Sequence, residues 1–342
     1  MEVPAMTNKD LNDMQRYLVE EEAEKWQEGR ITRRELLRRV GLIVGGAAAA
    51  NSVLLSIGCN PDTPQAAPTG TSSAASVAAT STPPTAGESA PTAAQGSLSP
   101  YHVPEDSPDV KASMVDIPSS DASVKLKGYL AASAVPQMGM AKPAGVLVIH
   151  ENRGLTPYIE DVVRRLAKAN FVALCVDLIS RQGGSAAHPD EGARIGIIGQ
   201  LTPEQVIADL SAGLDYLKSE GNANQDRLGV VGFCFGGGYA WRMATKRQDL
   251  KAAVAFYGPN PPLEDVPNIK AAVLGIYGEK DERITSKVPE LQEALTKAGV
   301  THEIKIYEGA EHAFHNDTGP RYKPDAAQDA WEKTLEWFRG RM

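Results

Sequence analysis

The sequence predicts an α/β domain over residues 101–342, with a mostly parallel central sheet and helices on both faces. Three observations carry that reading. From about residue 101, short β-branched or apolar runs alternate with segments whose apolar residues recur at helical spacing. The apolar run 228–231 passes straight into Gly232-Phe233-Cys234-Phe235-Gly236 and then into a helical pattern. Composition also shifts near residue 100, from Ser, Thr, Ala and Pro to the mixture of a packed domain, so one core plus extensions suits the 342 residues better than one large core.

Residues 1–59 come first. Thr32-Arg33-Arg34-Glu35-Leu36-Leu37-Arg38 precedes residues 40–60, which carry no charged side chain. This order resembles a twin-arginine export signal, an address read by the twin-arginine export machinery. Two fates stay open: export with cleavage, or retention as a membrane anchor, because about 20 apolar residues span a bilayer. Leu55-Ser56-Ile57-Gly58-Cys59 is similar to a bacterial lipoprotein cleavage site, which implies lipid on Cys59 and a membrane-held exported protein. Ser56 stands where such sites usually carry Leu, so cleavage at a plain small-residue site stays open too. An amphipathic helix is expected over 11–28, to remain on the cytoplasmic side or to be removed. Residues 60–100 lack the large apolar side chains that would offset the entropy of ordering, and are expected to form a disordered linker.

Within the domain, strands are expected at 124–131, 144–150, 171–176, 228–231, 252–256, 272–277 and 302–307. Helices are expected at 158–169, 203–219, 237–246, 286–298 and 325–339. The net charge of −8 is dispersed and leaves no basic footprint for DNA or RNA. Cys59, Cys175 and Cys234 share no CxxC or His/Cys spacing, so neither a disulfide framework nor a metal site is expected. Cys175, inside an apolar strand, reads as a core residue.

The segment around Cys234 is the most informative. A strand, Gly-x-Cys-x-Gly and a helix form a nucleophile-elbow pattern with cysteine in place of serine. Only glycine tolerates the tight approach on either side, and the helix N-terminus favours a thiolate. A thiol nucleophile needs a base and a residue to orient it. Asp281 follows a strand in Gly278-Glu279-Lys280-Asp281, and His312 follows the last strand in Glu311-His312-Ala313-Phe314. Of the six histidines, His312 is best placed. His302, His102 and His188 read as surface residues, and His150 as a structural or site-lining one.

Gly232-Phe-Cys-Phe-Gly-Gly, Gly278-Glu-Lys-Asp281 and His312-Ala-Phe-His-Asn-Asp317 together resemble the dienelactone hydrolase (carboxymethylenebutenolidase) family, across about residues 111–342. The resemblance implies an α/β-hydrolase fold, a Cys234-His312-Asp281 triad and no cofactor or metal. It also implies that Glu151, in Val148-Ile-His-Glu151-Asn-Arg-Gly154, holds the resting thiol, and that Arg181, in Asp177-Leu-Ile-Ser-Arg181, grips a substrate carboxylate. The family's second binding arginine is missing shortly after the histidine, where His315 and Asn316 stand, with Arg321 farther on. The expected oxyanion hole is the backbone N–H of Phe235 and of Asn152. The expected activity is cleavage of small-molecule esters or enol lactones through a thioester. A broad exported esterase or thioesterase is the nearer alternative, and a non-catalytic exported binding protein of the same fold the farther one.

Overall fold

A computed structural model describes residues 6–61, 98–119, 121, 124–135, 141–219 and 223–342. Eight strands form one sheet: β1 (Val110–Pro118), β2 (Lys125–Ser133), β3 (Ala144–Ile149), β4 (Val172–Asp177), β5 (Asn224–Phe233), β6 (Ala252–Phe256), β7 (Ala272–Gly278) and β8 (His302–Tyr307). Their spatial order is β1-β2-β4-β3-β5-β6-β7-β8. The strands from β3 to β8 run parallel, and β1 and β2 add an antiparallel edge. Every residue of β3, β4, β6 and β7 is buried, as strands covered on both faces must be. Strand β1 is mostly exposed, with Met114 52% accessible, so periodicity alone passes over it.

Ten helices accompany the sheet among the described residues: α1 (Asp13–Gln27), α2 (Arg33–Val44), α3 (Ala47–Ser56), α4 (Pro157–Lys168), α5 (Glu191–Gly199), α6 (Pro203–Ser219), α7 (Phe235–Lys246), α8 (Glu282–Thr285), α9 (Val288–Lys297) and α10 (Pro324–Arg341). Helices α4, α6, α7 and α10 pack against the strands. The short α5 is absent from the sequence reading, because three glycines in nine residues argue against a helix.

Residues 6–59 pack against the domain. Asn12 and Gln15 cap α1 reciprocally, and Thr32 caps α2 by accepting from the Glu35 N–H. Gly45, at φ 85°, ends α2, and α3 leaves at 101° to it. No single described helix is long and apolar enough to cross a membrane, although this bent pair would be by length and composition together. Leu18, Leu36, Val40, Val53 and Leu54 instead join the same apolar core as the sheet. Of the expected linker, residues 62–97 lie outside the described residues.

The chain leaves β3 for β4 on one side and returns to β5 on the other, so their C-terminal ends part and open a crevice. Glu151 follows β3, Cys234 follows β5, Asp281 follows β7, and His312 follows β8. The candidate residues therefore converge on one edge of the sheet.

Candidate active site

Cys234 joins β5 to α7 at φ 58° and ψ −120°, a conformation that costs a non-glycine residue energy and recurs at functional turns. The neighbouring glycines permit it. A Cβ on Gly232 would lie 1.9 Å from the Gly236 carbonyl oxygen, and one on Gly236 would lie 2.3 Å from that of Ile149. Phe235 opens α7, so its N–H has no acceptor within the helix.

His312 and Asp281 are 3% and 1% exposed, and His312 Nδ1 lies 2.5 Å from Asp281 Oδ2. With Nδ1–H donating to the carboxylate, Nε2 is left as the basic nitrogen. Between that nitrogen and the sulfur stands a residue from outside the expected domain: the Tyr17 hydroxyl of α1 is 3.2 Å from Cys234 Sγ and 3.5 Å from His312 Nε2. The Cys234 thiol donates to Glu21 Oε2 at 3.4 Å, and Asn152 Nδ2 donates to Glu21 Oε1 at 3.2 Å. Lys25 Nζ lies 2.7 Å from Glu21 and 2.6 Å from Glu22, with all three side chains buried.

These charges set the protonation of the site. Burial, then the carboxylates Glu21 and Glu151, pushes the Cys234 thiol far above its ordinary range. Burial pushes the Glu21 carboxyl up, but Lys25, His312 and Arg283 outweigh it and hold Glu21 well below the usual carboxylate range. Burial raises Glu151 against the opposing charges of Arg153 and His312. A cavity of about 220 Å³ borders the thiol, lined among others by Glu151, Asn152, His312, Arg153 and Arg321. Glu21, Cys234 and His312 place their ligand atoms within 4.8 Å of one another, a carboxylate, sulfur and imidazole set of the kind that zinc takes.

Glu151 accepts from Asn316 Nδ2 at 3.1 Å, and the carboxylate touching the thiol is that of Glu21. Arg181 is turned away from the cavity: its guanidinium donates to buried Asp209 at 2.8 and 3.3 Å and faces Asp121 at 3.7 Å. Arg321, left aside in the sequence reading, lines the cavity. The other histidines are structural. His150 bonds the Glu151 carbonyl and accepts from the Leu178 N–H, and His315 bonds the Tyr158 hydroxyl at 2.7 Å. His102 pairs with Asp161, while His188 and His302 bond backbone carbonyls. Cys175 is wholly buried in β4, and Cys59 is 3% exposed at the end of the apolar run.

Tyr17, Glu21 and Lys25 had no motif to announce them. Their spacing of four residues places them on one helical face, yet nothing local says what that face covers.

The dienelactone hydrolase family model matches residues 126–342. A Methylorubrum extorquens protein provisionally named carboxymethylenebutenolidase is 35% identical over 240 residues, covering 67% of this chain and 80% of its own. A Saccharolobus solfataricus protein with the same provisional name is 33% identical over 251 residues, covering 63% of this chain and 94% of its own. Among solved structures, a provisionally named dienelactone hydrolase from Klebsiella pneumoniae is 31% identical with a TM-score of 0.61, covering 67% of this chain and 98% of that one.

Proposed function

The chain belongs to the dienelactone hydrolase family and is a hydrolase of that type, and from that premise we propose that it cleaves small-molecule esters or enol lactones through a Cys234-His312-Asp281 triad. The observation that carries this reading is the Asp281–His312 hydrogen bond, with a ring nitrogen of the same His312 within 4.8 Å of the Cys234 sulfur on its strained turn.

In the proposed reaction His312 Nε2 takes the thiol proton and the thiolate attacks the carbonyl carbon, moving the π pair onto oxygen. The N–H groups of Phe235 and Asn152 hold that oxyanion. Collapse expels the alcohol or enol oxygen, which receives the proton from His312, and leaves a thioester. Water, deprotonated by His312, then attacks the thioester; the acid departs and the thiolate is reprotonated. Glu151 assists from the cavity wall, near enough for its charge to act on the thiol.

A broader esterase or thioesterase is favoured over a strict dienelactone hydrolase by one observation: the Arg181 guanidinium is paired with Asp209 and does not line the cavity at Cys234. Hydrolysis of a panel of small esters and thioesters with a dienelactone, beside Cys234→Ala, tests both readings. Turnover that depends on Cys234 supports the hydrolase, and preference for the dienelactone would remove the broad alternative.

The proposed location is outside the cytoplasmic membrane, reached through the twin-arginine machinery, with the protein held by an anchor or by lipid on Cys59. Supporting it, Arg33 and Arg34 are exposed in the first turn of α2, where a receptor can reach them. Fractionation of cells expressing the chain and its Arg33→Lys/Arg34→Lys variant tests this; equal amounts outside the membrane would contradict it.

A further inference from the structure

An ester cleaved at Cys234 leaves two products: a carboxylate whose carbon was bonded to sulfur, and a hydroxyl compound whose oxygen has taken its proton from His312. Helix α1 supplies both groups at those places. Glu21 sets one carboxylate oxygen against the thiol and the other against the Asn152 side chain. The Tyr17 phenol sits between Sγ and Nε2, at 3.2 and 3.5 Å. One helical turn separates the two residues, so a single docking event delivers both.

The rest of the chain is fitted to hold α1 there. Lys25 brings Glu21 in already paired, and Arg39 of α2 links Glu22, at 3.2 Å, to Glu191 in the first turn of α5, at 3.0 Å. Arg38 pairs with Asp190, the residue that caps α5. Helices α2 and α5 meet closely, because a Cβ on Gly196 would lie 2.4 Å from Leu42 Cβ. On the other flank the Arg283 guanidinium lies 4.5 Å from the centre of the Tyr17 ring, with both terminal nitrogens lacking a hydrogen-bond partner.

We propose that α1 is an intramolecular inhibitor of the hydrolase that imitates its products, with the Glu21 carboxylate standing for the acid and the Tyr17 phenol for the alcohol or enol. The inference rests on the hydrolase reading above. With α1 docked, Cys234 is 3% exposed and its sulfur is engaged by Tyr17 and Glu21, so an acyl carbon cannot reach it. The thiol is also held protonated by burial and by the Glu21 charge. Displacing α1 frees the sulfur, restores the path from thiol to His312 Nε2 and uncovers Arg283. The twin-arginine sequence lies in the same segment, so cleavage before Cys59 on export would remove α1 and switch the enzyme on.

The test uses the full chain and its Glu21→Gln, Tyr17→Phe and Gly196→Leu variants, each checked for native near-ultraviolet circular dichroism. Two rates are measured: alkylation of Cys234 by iodoacetamide, read by peptide mass spectrometry, and hydrolysis of p-nitrophenyl acetate. The expected result is that each variant raises both rates by about tenfold or more, as the loss of a charge-assisted contact or of close helix packing allows. Faster alkylation of a folded variant without any turnover would support the inhibitory cover and overturn the hydrolase reading. Unchanged alkylation, or hydrolysis that falls in Glu21→Gln and Tyr17→Phe, would overturn the inhibitor and make α1 part of the working site. Should Gly196→Leu fail to fold, the other two variants decide.

Discussion

The phenolic oxygen of Tyr17 lies 3.2 Å from the sulfur of Cys234, although 217 positions separate the two residues in the chain. That contact, with Glu21 beside it, makes the N-terminal segment and the hydrolase domain one structural unit at the site. Its consequences can be measured on either side of the contact.

Asp281→Asn leaves the shape of the triad but removes the charge that orients His312. Turnover should fall by roughly 10³–10⁴-fold with little change in stability, by analogy with other nucleophile-base-acid triads. Steady-state kinetics on an activated ester checks this.

Glu21 gives a pH signature with a definite sign. Its carboxyl is held well below the ordinary value of 4.5 in the folded chain, so below that pH the unfolded chain binds the extra proton. The stabilisation is therefore present above about pH 4.5 and lost as pH falls through the depressed folded value. Glu21→Gln should cost roughly 1–3 kcal/mol at pH 7, with the gap from the parent chain narrowing in acid. Urea denaturation at both pH values reads it.

Arg165 shapes the loop that carries the histidine. Its guanidinium lies 2.5 Å from Asp161 and 2.7 Å from Asp317, with the three side chains at most 4% exposed, and Asp317 also accepts from the Ser99 N–H. Arg165→Met leaves two buried carboxylates without their cation and should destabilise the protein by roughly 3–5 kcal/mol. Denaturant titration measures it.

Arg181→Ala and Arg321→Ala should part company. Arg181 holds Asp209, so its loss should lower stability while leaving KM for carboxylate-bearing esters nearly unchanged. Arg321 lines the cavity, and its loss should raise that KM by about tenfold, as for a charge-assisted contact. Kinetics in a background with α1 displaced compares the two.

Much of the domain was legible because its physics is local. Strands β3, β4, β6 and β7 are buried on both faces and read as continuous apolar runs, and the close approach of Gly232 to the Gly236 carbonyl beside Cys234 lies within a few residues. Asp281 and His312 were marked in the sequence because each lies in the short loop after a strand, β7 and β8. Strand β1 was not, because its exposed edge carries no alternation. Nor was the role of α1: Glu21, Glu22 and Lys25 are charges that a helix usually turns to water, and here they are buried, with Glu21 against Cys234 and Asn152 far away in sequence. The Arg181–Asp209 pair was not legible for the same reason, since Asp209 lies on α6 and leaves no trace near the Asp177-Leu-Ile-Ser-Arg181 motif.

The most direct test of the central claim is mass spectrometry of the protein quenched in acid during turnover of p-nitrophenyl acetate, with α1 displaced by Glu21→Gln. An acetyl adduct on the peptide that contains Cys234, formed while His312 is intact and missing in Cys234→Ala, is the predicted result. Ester turnover that persists in Cys234→Ala, with no adduct on that peptide in any variant, would contradict it.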